Sequence, residues 1–245
     1  MEAVDGKSKN PGVFLTTQWT MVLNARAGSL PQAGEALSRL CRIYWRPVYH
    51  FIRLHGVSVH DAEDYTQGFF EALIEKDYLR TVDPNRGRFR SFLMAAAKHF
   101  LSDQFDKKRA WKRGGRTEFV PLDLPDAEGE LKKEVAAKVD PESAFDRAWA
   151  LTVLERAVSR LQQFYRTRGK EKRFEVLRPF LVGEGHQSYH EISLILDVSV
   201  DVVKTEVRRM RKSFRSFLRD EVRETLGDSE DLDAEIRYLG SLMGS

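Results

Sequence analysis

Apolar residues along this chain recur at intervals of three and four far more often than at two, so the pattern predicts helices and few strands. An N-terminal block, about Thr16–Lys112, divides into Pro31–Ala36 leading into Leu37–Leu54, then His60–Lys76, then Phe89–Trp111. Gly56 and the turn-rich Asp83-Pro84-Asn85-Arg86-Gly87 punctuate these helices. From Gly114 to about Lys138 the periodicity gives way to Gly-Gly, two prolines and acidic residues, a composition that reads as a flexible linker between two bodies. Asp140, Pro141 and Glu142 then supply an N-cap, a first-turn proline and an early acid, opening a long helix through about Arg166. A further helix near Glu171–Val182 follows. The expected fold is all-α, with an N-terminal tail (1–15), a first helical domain (16–112), a linker (113–139), a second domain (140–223) and a C-terminal tail (224–245).

The stretch Ser188–Arg211 reads as two short helices joined by a tight turn at Asp197-Val198. Ser188 caps the first, Glu191 completes a capping box, and Ile192, Ile195 and Leu196 supply its buried side. Ser199 caps the second, in which Val203, Val207 and Met210 recur at helical spacing and leave Lys204, Thr205, Arg208 and Arg211 on other faces. Cations at that spacing reach base edges and phosphates together, as in a DNA-reading helix-turn-helix. The alternative is a helical hairpin with a solvated basic face.

Charge sharpens this picture. The 245 residues carry a formal net charge of only +3, but it is unevenly placed: a basic run at Lys107–Arg116, acidic stretches at Asp123–Glu130 and Asp228–Glu235. Such unevenness suits a polyanion-binding face. The single cysteine, Cys41, excludes an internal disulfide framework or a cysteine-rich zinc site and is expected in the core. No apolar run approaches the roughly 20 residues that span a membrane, and the N-terminus lacks a signal-peptide apolar region, so the expectation is a cytoplasmic protein with no membrane partner.

Two further constellations carry candidate chemistry. His60–Glu71 places Asp61, Glu63, Asp64 and Gln67 on polar faces, with Ala62, Tyr65, Phe69 and Phe70 available to a core. The acids suit a solvated helix face, a protein-docking surface or, least well, metal or acid/base chemistry, because all three lie in the first turn and complement the helix dipole. In Phe89–Trp111, Phe92, Leu93, Ala96, Phe100 and Leu101 face inward while Lys98, His99, Lys107, Lys108 and Arg109 accumulate outside. Six cations between 107 and 116 around Trp111 form a candidate phosphate track. Ahead of them Arg86, Arg88, Phe89 and Arg90 cluster at a glycine-containing loop, a combination able to hold an unstacked base. An exposed basic helix over aromatic core residues explains the same pattern.

In order, these segments resemble the extracytoplasmic-function sigma factors of bacterial RNA polymerase, which have only domains two and four; the resemblance covers about Thr16–Arg223. Tyr44-Trp45-Arg46-Pro47-Val48-Tyr49 with Asp61-Ala62-Glu63-Asp64-Tyr65-Thr66-Gln67 is similar to the helices that dock on the polymerase clamp, which implies polymerase-binding roles for Asp61, Glu63, Asp64 and Gln67. Asp83–Leu93 is similar to the loop and helix start that capture flipped bases of the minus-ten element, and Ser188–Arg211 to the unit that reads the minus-thirty-five element. The resemblance implies core RNA polymerase and promoter DNA as partners, an anti-sigma factor or other regulator as a further candidate, and neither enzymatic activity nor a cofactor or metal.

Some residues depart from that pattern: Gly68 follows the glutamine where an acid is common, Asp197 replaces a turn glycine, and Glu206 stands where a basic residue is common. Gln163–Gln187 looks like an insertion, and Thr17-Gln18-Trp19 resembles a subgroup signature. Rival readings are a helix-turn-helix regulator that never joins polymerase and a carboxylate-dependent nuclease built on Asp61, Glu63 and Asp64. The tail repeats Leu232, Ile236, Leu239 and Met243 beside Asp228, Glu230, Asp231, Asp233 and Glu235. It is expected either to cap the second domain or to compete with DNA for the surface around Arg208 and Arg211.

Overall fold

The computed structural model describes residues 31–75, 88–111, 131, 138–181, 187–226 and 230–244. The N-terminal tail, Thr17-Gln18-Trp19, the loop bearing Arg86, the run Lys112–Arg116 and nearly all of the linker lie outside the described residues, as do the side chains of Arg109 and Trp111. The described residues form helices and their connections, with no strand among them.

Helix α1 spans Pro31–Leu54 without interruption, accommodating Pro47, and ends where Gly56 adopts a φ of 79°, a left-handed conformation glycine accepts freely. Ser58 Oγ accepts from the Asp61 N–H at 3.2 Å, starting α2 (Val59–Glu75). Helix α3 is Phe89–Trp111. Helix α4, Pro141–Arg166, opens on Asp140, whose carboxylate accepts from the Ser143 N–H at 2.9 Å. Helix α5 (Glu171–Leu177) runs into a 3-10 turn, Arg178–Leu181. The remaining helices are α6 (Tyr189–Leu196), α7 (Val200–Glu224) and α8 (Leu232–Met243).

Two apolar clusters hold these helices. The first joins Tyr44, Val48 and Phe51 of α1, Phe69 and Leu73 of α2, Phe89, Leu93 and Leu101 of α3, and Phe145, Trp149 and Val153 of α4, all buried. Residues on both sides of the expected linker therefore share one core: the Phe145 ring lies 6.2 Å from Tyr44 and 6.3 Å from Phe51, between centroids. The second gathers Leu161, Phe174, Leu177, Phe180, Ile192, Val203, Val207 and Met210. The insertion-like segment thus builds this core, with Phe180 stacked on Tyr189 at 5.2 Å. Cys41 is half-buried against the first cluster, and that burial pushes its thiol up to about 11.

Helices α4 and α7 are the struts, each contributing to both clusters. Glu221 on α7, 2% exposed, clamps them by accepting from Arg156 Nε at 2.6 Å and Arg160 Nη1 at 3.1 Å. Helix α8 lies against both struts: Leu239 is buried, Leu232 and Ile236 pack beside it, and Met243 remains 44% exposed.

Candidate nucleic-acid interface and docking face

The α6–α7 pair is shaped by local chemistry. Ser188 N–H donates to Glu191 Oε2 at 2.6 Å while Ser188 Oγ accepts from the Glu191 N–H at 3.2 Å, closing the capping box; the Ser188 N–H bond holds the Glu191 carboxyl below its ordinary range. Asp197 turns the chain with φ 51° and ψ 53°, the left-handed geometry that aspartate tolerates better than most residues. Ser199 Oγ then accepts from the Val202 N–H at 3.4 Å. Ile192 and Leu196 face inward as expected; Ile195 does not, at 42% exposure, because the side of this two-turn helix that faces α7 runs through Ile192, Ser193 and Leu196.

On the outer face of α7, Lys204, Thr205 and Arg208 are exposed. Lys204 Nζ lies 3.5 Å from Asp201 Oδ1, and the Thr205 hydroxyl donates to the Asp201 carbonyl at 2.9 Å. Arg211 differs: half-buried, its Nε donates to the Phe180 carbonyl at 2.7 Å, tying α7 to the 3-10 turn. Glu206 turns away from the outer face into an ion pair with Arg173. Beside it Phe164, Arg168, Lys170, Arg173, Arg209 and Lys212 help line an open pocket of about 350 Å³. Arg168 lies 3.6 Å over the Phe164 ring. Sequence reasoning missed this cationic flank because its members come from the end of α4, the following turn, α5 and α7, and no single periodic stretch collects them.

The residues assigned to strand opening are placed differently from one another. Phe89 is 1% exposed and meets Tyr44 edge-on at 5.1 Å, so its ring is a core element here and is not available to stack a base. Arg88, 40% exposed, sits with Nη1 3.1 Å from Glu235 Oε2. Arg90 is buried between Glu235 and Asp146. Lys98 pairs with Glu142; His99 and Lys107 are exposed.

On α2, Asp61 Oδ2 accepts from Lys108 Nζ at 2.9 Å, a bond that holds the Asp61 carboxyl below its ordinary range and staples α2 to α3. Gln67 Nε2 donates to Glu71 Oε1 at 2.9 Å. Glu63 and Asp64 are part-exposed. A Cβ at Gly68 would lie 3.5 Å from the Phe100 ring, so position 68 faces the α2–α3 contact. Among the described residues, no group of three or more His, Cys, Asp or Glu is placed to hold a metal ion, and no helix is long and apolar enough to cross a membrane. Of the tail acids, Glu235 meets Arg88 and Arg90, and Asp233 meets Arg219.

The described residues are thus a helical body carrying a capped helix pair with a cationic outer face. The chain is 26% identical over 189 residues to the ECF RNA polymerase sigma factor SigW of Bacillus subtilis, covering 76% of this chain and 90% of that protein. That distant similarity supports a sigma-factor-like protein of transcription initiation. No protein-family model matches the chain, and no solved structure matches it significantly.

Proposed function

We propose that this chain is a cytoplasmic sigma factor of the extracytoplasmic-function type: it binds core RNA polymerase, directs it to promoters and helps open the duplex, catalysing no reaction itself. The observation that carries this reading is the capped α6–α7 pair with Lys204, Thr205 and Arg208 exposed on one helix, in a chain whose similarity to a sigma factor runs through most of its length. Residues 16–112 act as the polymerase-docking and minus-ten domain and 140–223 as the minus-thirty-five domain, and they separate from their α1–α4 contact on the enzyme. Promoter-dependent transcription with purified core polymerase tests the reading; a chain that binds DNA yet supports no such transcription is a regulator instead.

Two finer assignments follow. Arg208→Ala is expected to cost roughly 1–3 kcal/mol on the matched upstream element and to relax specificity at one position, as loss of a bidentate base contact does. Arg209→Ala, on the cationic flank, weakens matched and scrambled sequences alike and lowers the salt slope by about one. Anisotropy titrations of both variants across ionic strengths separate the roles; identical losses on both sequences by Arg208→Ala would remove it from base reading.

Docking falls to Glu63 and Asp64, since Asp61 is engaged with Lys108. Reversing both to Lys is expected to weaken association with core polymerase by roughly tenfold or more, through like charges facing a basic partner. Helix content should not change. Undiminished holoenzyme assembly would sink the assignment.

A further inference from the structure

Glu235 is the tail acid that periodicity placed on a polar face and that the fold buries, at 2% exposure. Its Oε1 lies 2.8 Å from Arg90 Nη1 and its Oε2 3.1 Å from Arg88 Nη1, so one carboxylate spans two arginines across 145 residues of sequence. Around them a cage closes. The Arg90 guanidinium sits 4.8 Å from the Trp149 ring centroid and 4.3 Å from that of Tyr238, also on α8. The Tyr238 hydroxyl donates to Asp146 Oδ2 at 2.6 Å, and Asp146 Oδ1 stands 3.6 Å from Arg90 Nε. Asp231 caps α8 by accepting from the N–H groups of Asp233 and Ala234, and an Arg219–Asp233 ion pair ties it to α7. Helix α8 is therefore held by the first turn of α3, by α4 and by α7 together.

The cage is incompletely satisfied. Trp149 Nε1 and Asp146 Oδ1 are buried without a hydrogen-bond partner among the described residues, and Arg90 Nη1, close to Glu235, is poorly aligned for a hydrogen bond. Burial pushes the Glu235 carboxyl above its ordinary range despite the opposing pull of Arg90 and Arg88. A cage with buried polar atoms left unmet is one that a competing anion can open. Phosphate oxygens use the same guanidinium edges as a carboxylate.

We propose that α8 is an intramolecular bolt: Glu235 occupies the anion-binding edges of Arg88 and Arg90, holds the start of α3 closed against α4, and is displaced by the phosphates of the opened DNA strand. This rests on the reading of Arg88 as a strand contact and adds its regulation from within the chain. Tethering gives the carboxylate an effective concentration on the order of millimolar, sufficient to exclude weak and non-specific single strands.

The test uses the full chain without polymerase, so that it stands apart from the transcription assay that tests the sigma reading. A fluorescein-labelled mixed-sequence single-stranded 12-mer is titrated against wild type, Glu235→Gln and the double variant Glu235→Gln/Arg88→Ala. The expected result is roughly fivefold tighter binding by E235Q, strongest at low salt, with the gain abolished by Arg88→Ala. Equal or weaker binding by a folded E235Q overturns the bolt, and so does a gain that survives Arg88→Ala. Hydrogen exchange on the wild-type chain gives an answer even if the variants fold poorly: saturating oligonucleotide should speed exchange across Leu232–Met243, and unchanged or slower exchange there overturns the proposal.

Discussion

Trp149→Ala is expected to destabilise the folded chain by roughly 3–5 kcal/mol, the range for deleting a large buried aromatic. The indole is fully buried in the first cluster, where α1, α3, α4 and α8 converge, and one face carries the Arg90 guanidinium. Removing it leaves a cavity bounded by helices that cannot all collapse inward, and strips Arg90 of an aromatic neighbour in a site already short of hydrogen bonds. Trp149→Phe retains most of the contact and should cost far less. Thermal and urea melts measure both, with the alanine variant's melting temperature falling on the order of 10 °C. A loss under about 1 kcal/mol would mean that α4 does not share the first core in solution, because a site on a separated domain has no such packing to lose.

The second large effect is expected at the strut clamp. Arg156 and Arg160 are 32% and 41% exposed, whereas the carboxylate they share on Glu221 is 2% exposed, so the partners are not equivalent. Freed arginines rehydrate; a freed Glu221 stays in a low-dielectric site. The pair Arg156→Ala/Arg160→Ala should therefore cost about 3–5 kcal/mol, as stranding a buried charge does, while Glu221→Gln costs less. Adding Glu221→Met to the double variant should recover much of the loss, since an apolar side chain of similar volume needs no counter-ion. Chemical denaturation of the single, double and triple variants checks the order. A triple variant no more stable than the double would show that the clamp acts through helix geometry and not through the buried charge.

Local signals were read correctly in the sequence. Asp140-Pro141-Glu142 opens α4 and Ser188 with Glu191 opens α6, because a cap is a hydrogen bond within three residues and needs no knowledge of the rest of the fold. The left-handed turn at Asp197 was legible for the same reason. What could not be read was which polar residues already have partners elsewhere in the fold. Arg211 is consumed by a carbonyl 31 positions earlier, Lys108 by Asp61, and Arg88 and Arg90 by Glu235; each partner lies on another helix, and helical periodicity gives faces without giving neighbours. Phe89 likewise shares a stretch with arginines that suggests a common role, although an aromatic in a first turn falls to whichever core is near, here the edge of Tyr44. The α6–α7 unit was therefore more legible than the strand-opening site, whose residues are sorted by tertiary contacts.

The unbroken run of α7 from Val200 to Glu224 has a mechanical meaning. At 1.5 Å per residue its 25 residues make a rod roughly 38 Å long, with the proposed reading face near one end and Val222, packed in the first core, near the other. A tilt of about 10° pivoting on the first turn would sweep the last turn through roughly 6 Å, more than one helical pitch. Side chains that interdigitate cannot follow such a sweep continuously, so the far end either stays seated or disengages as a unit. The rod is thus a lever: seating its first turns in a groove at an angle the closed core does not permit would pry apart the contacts at its other end.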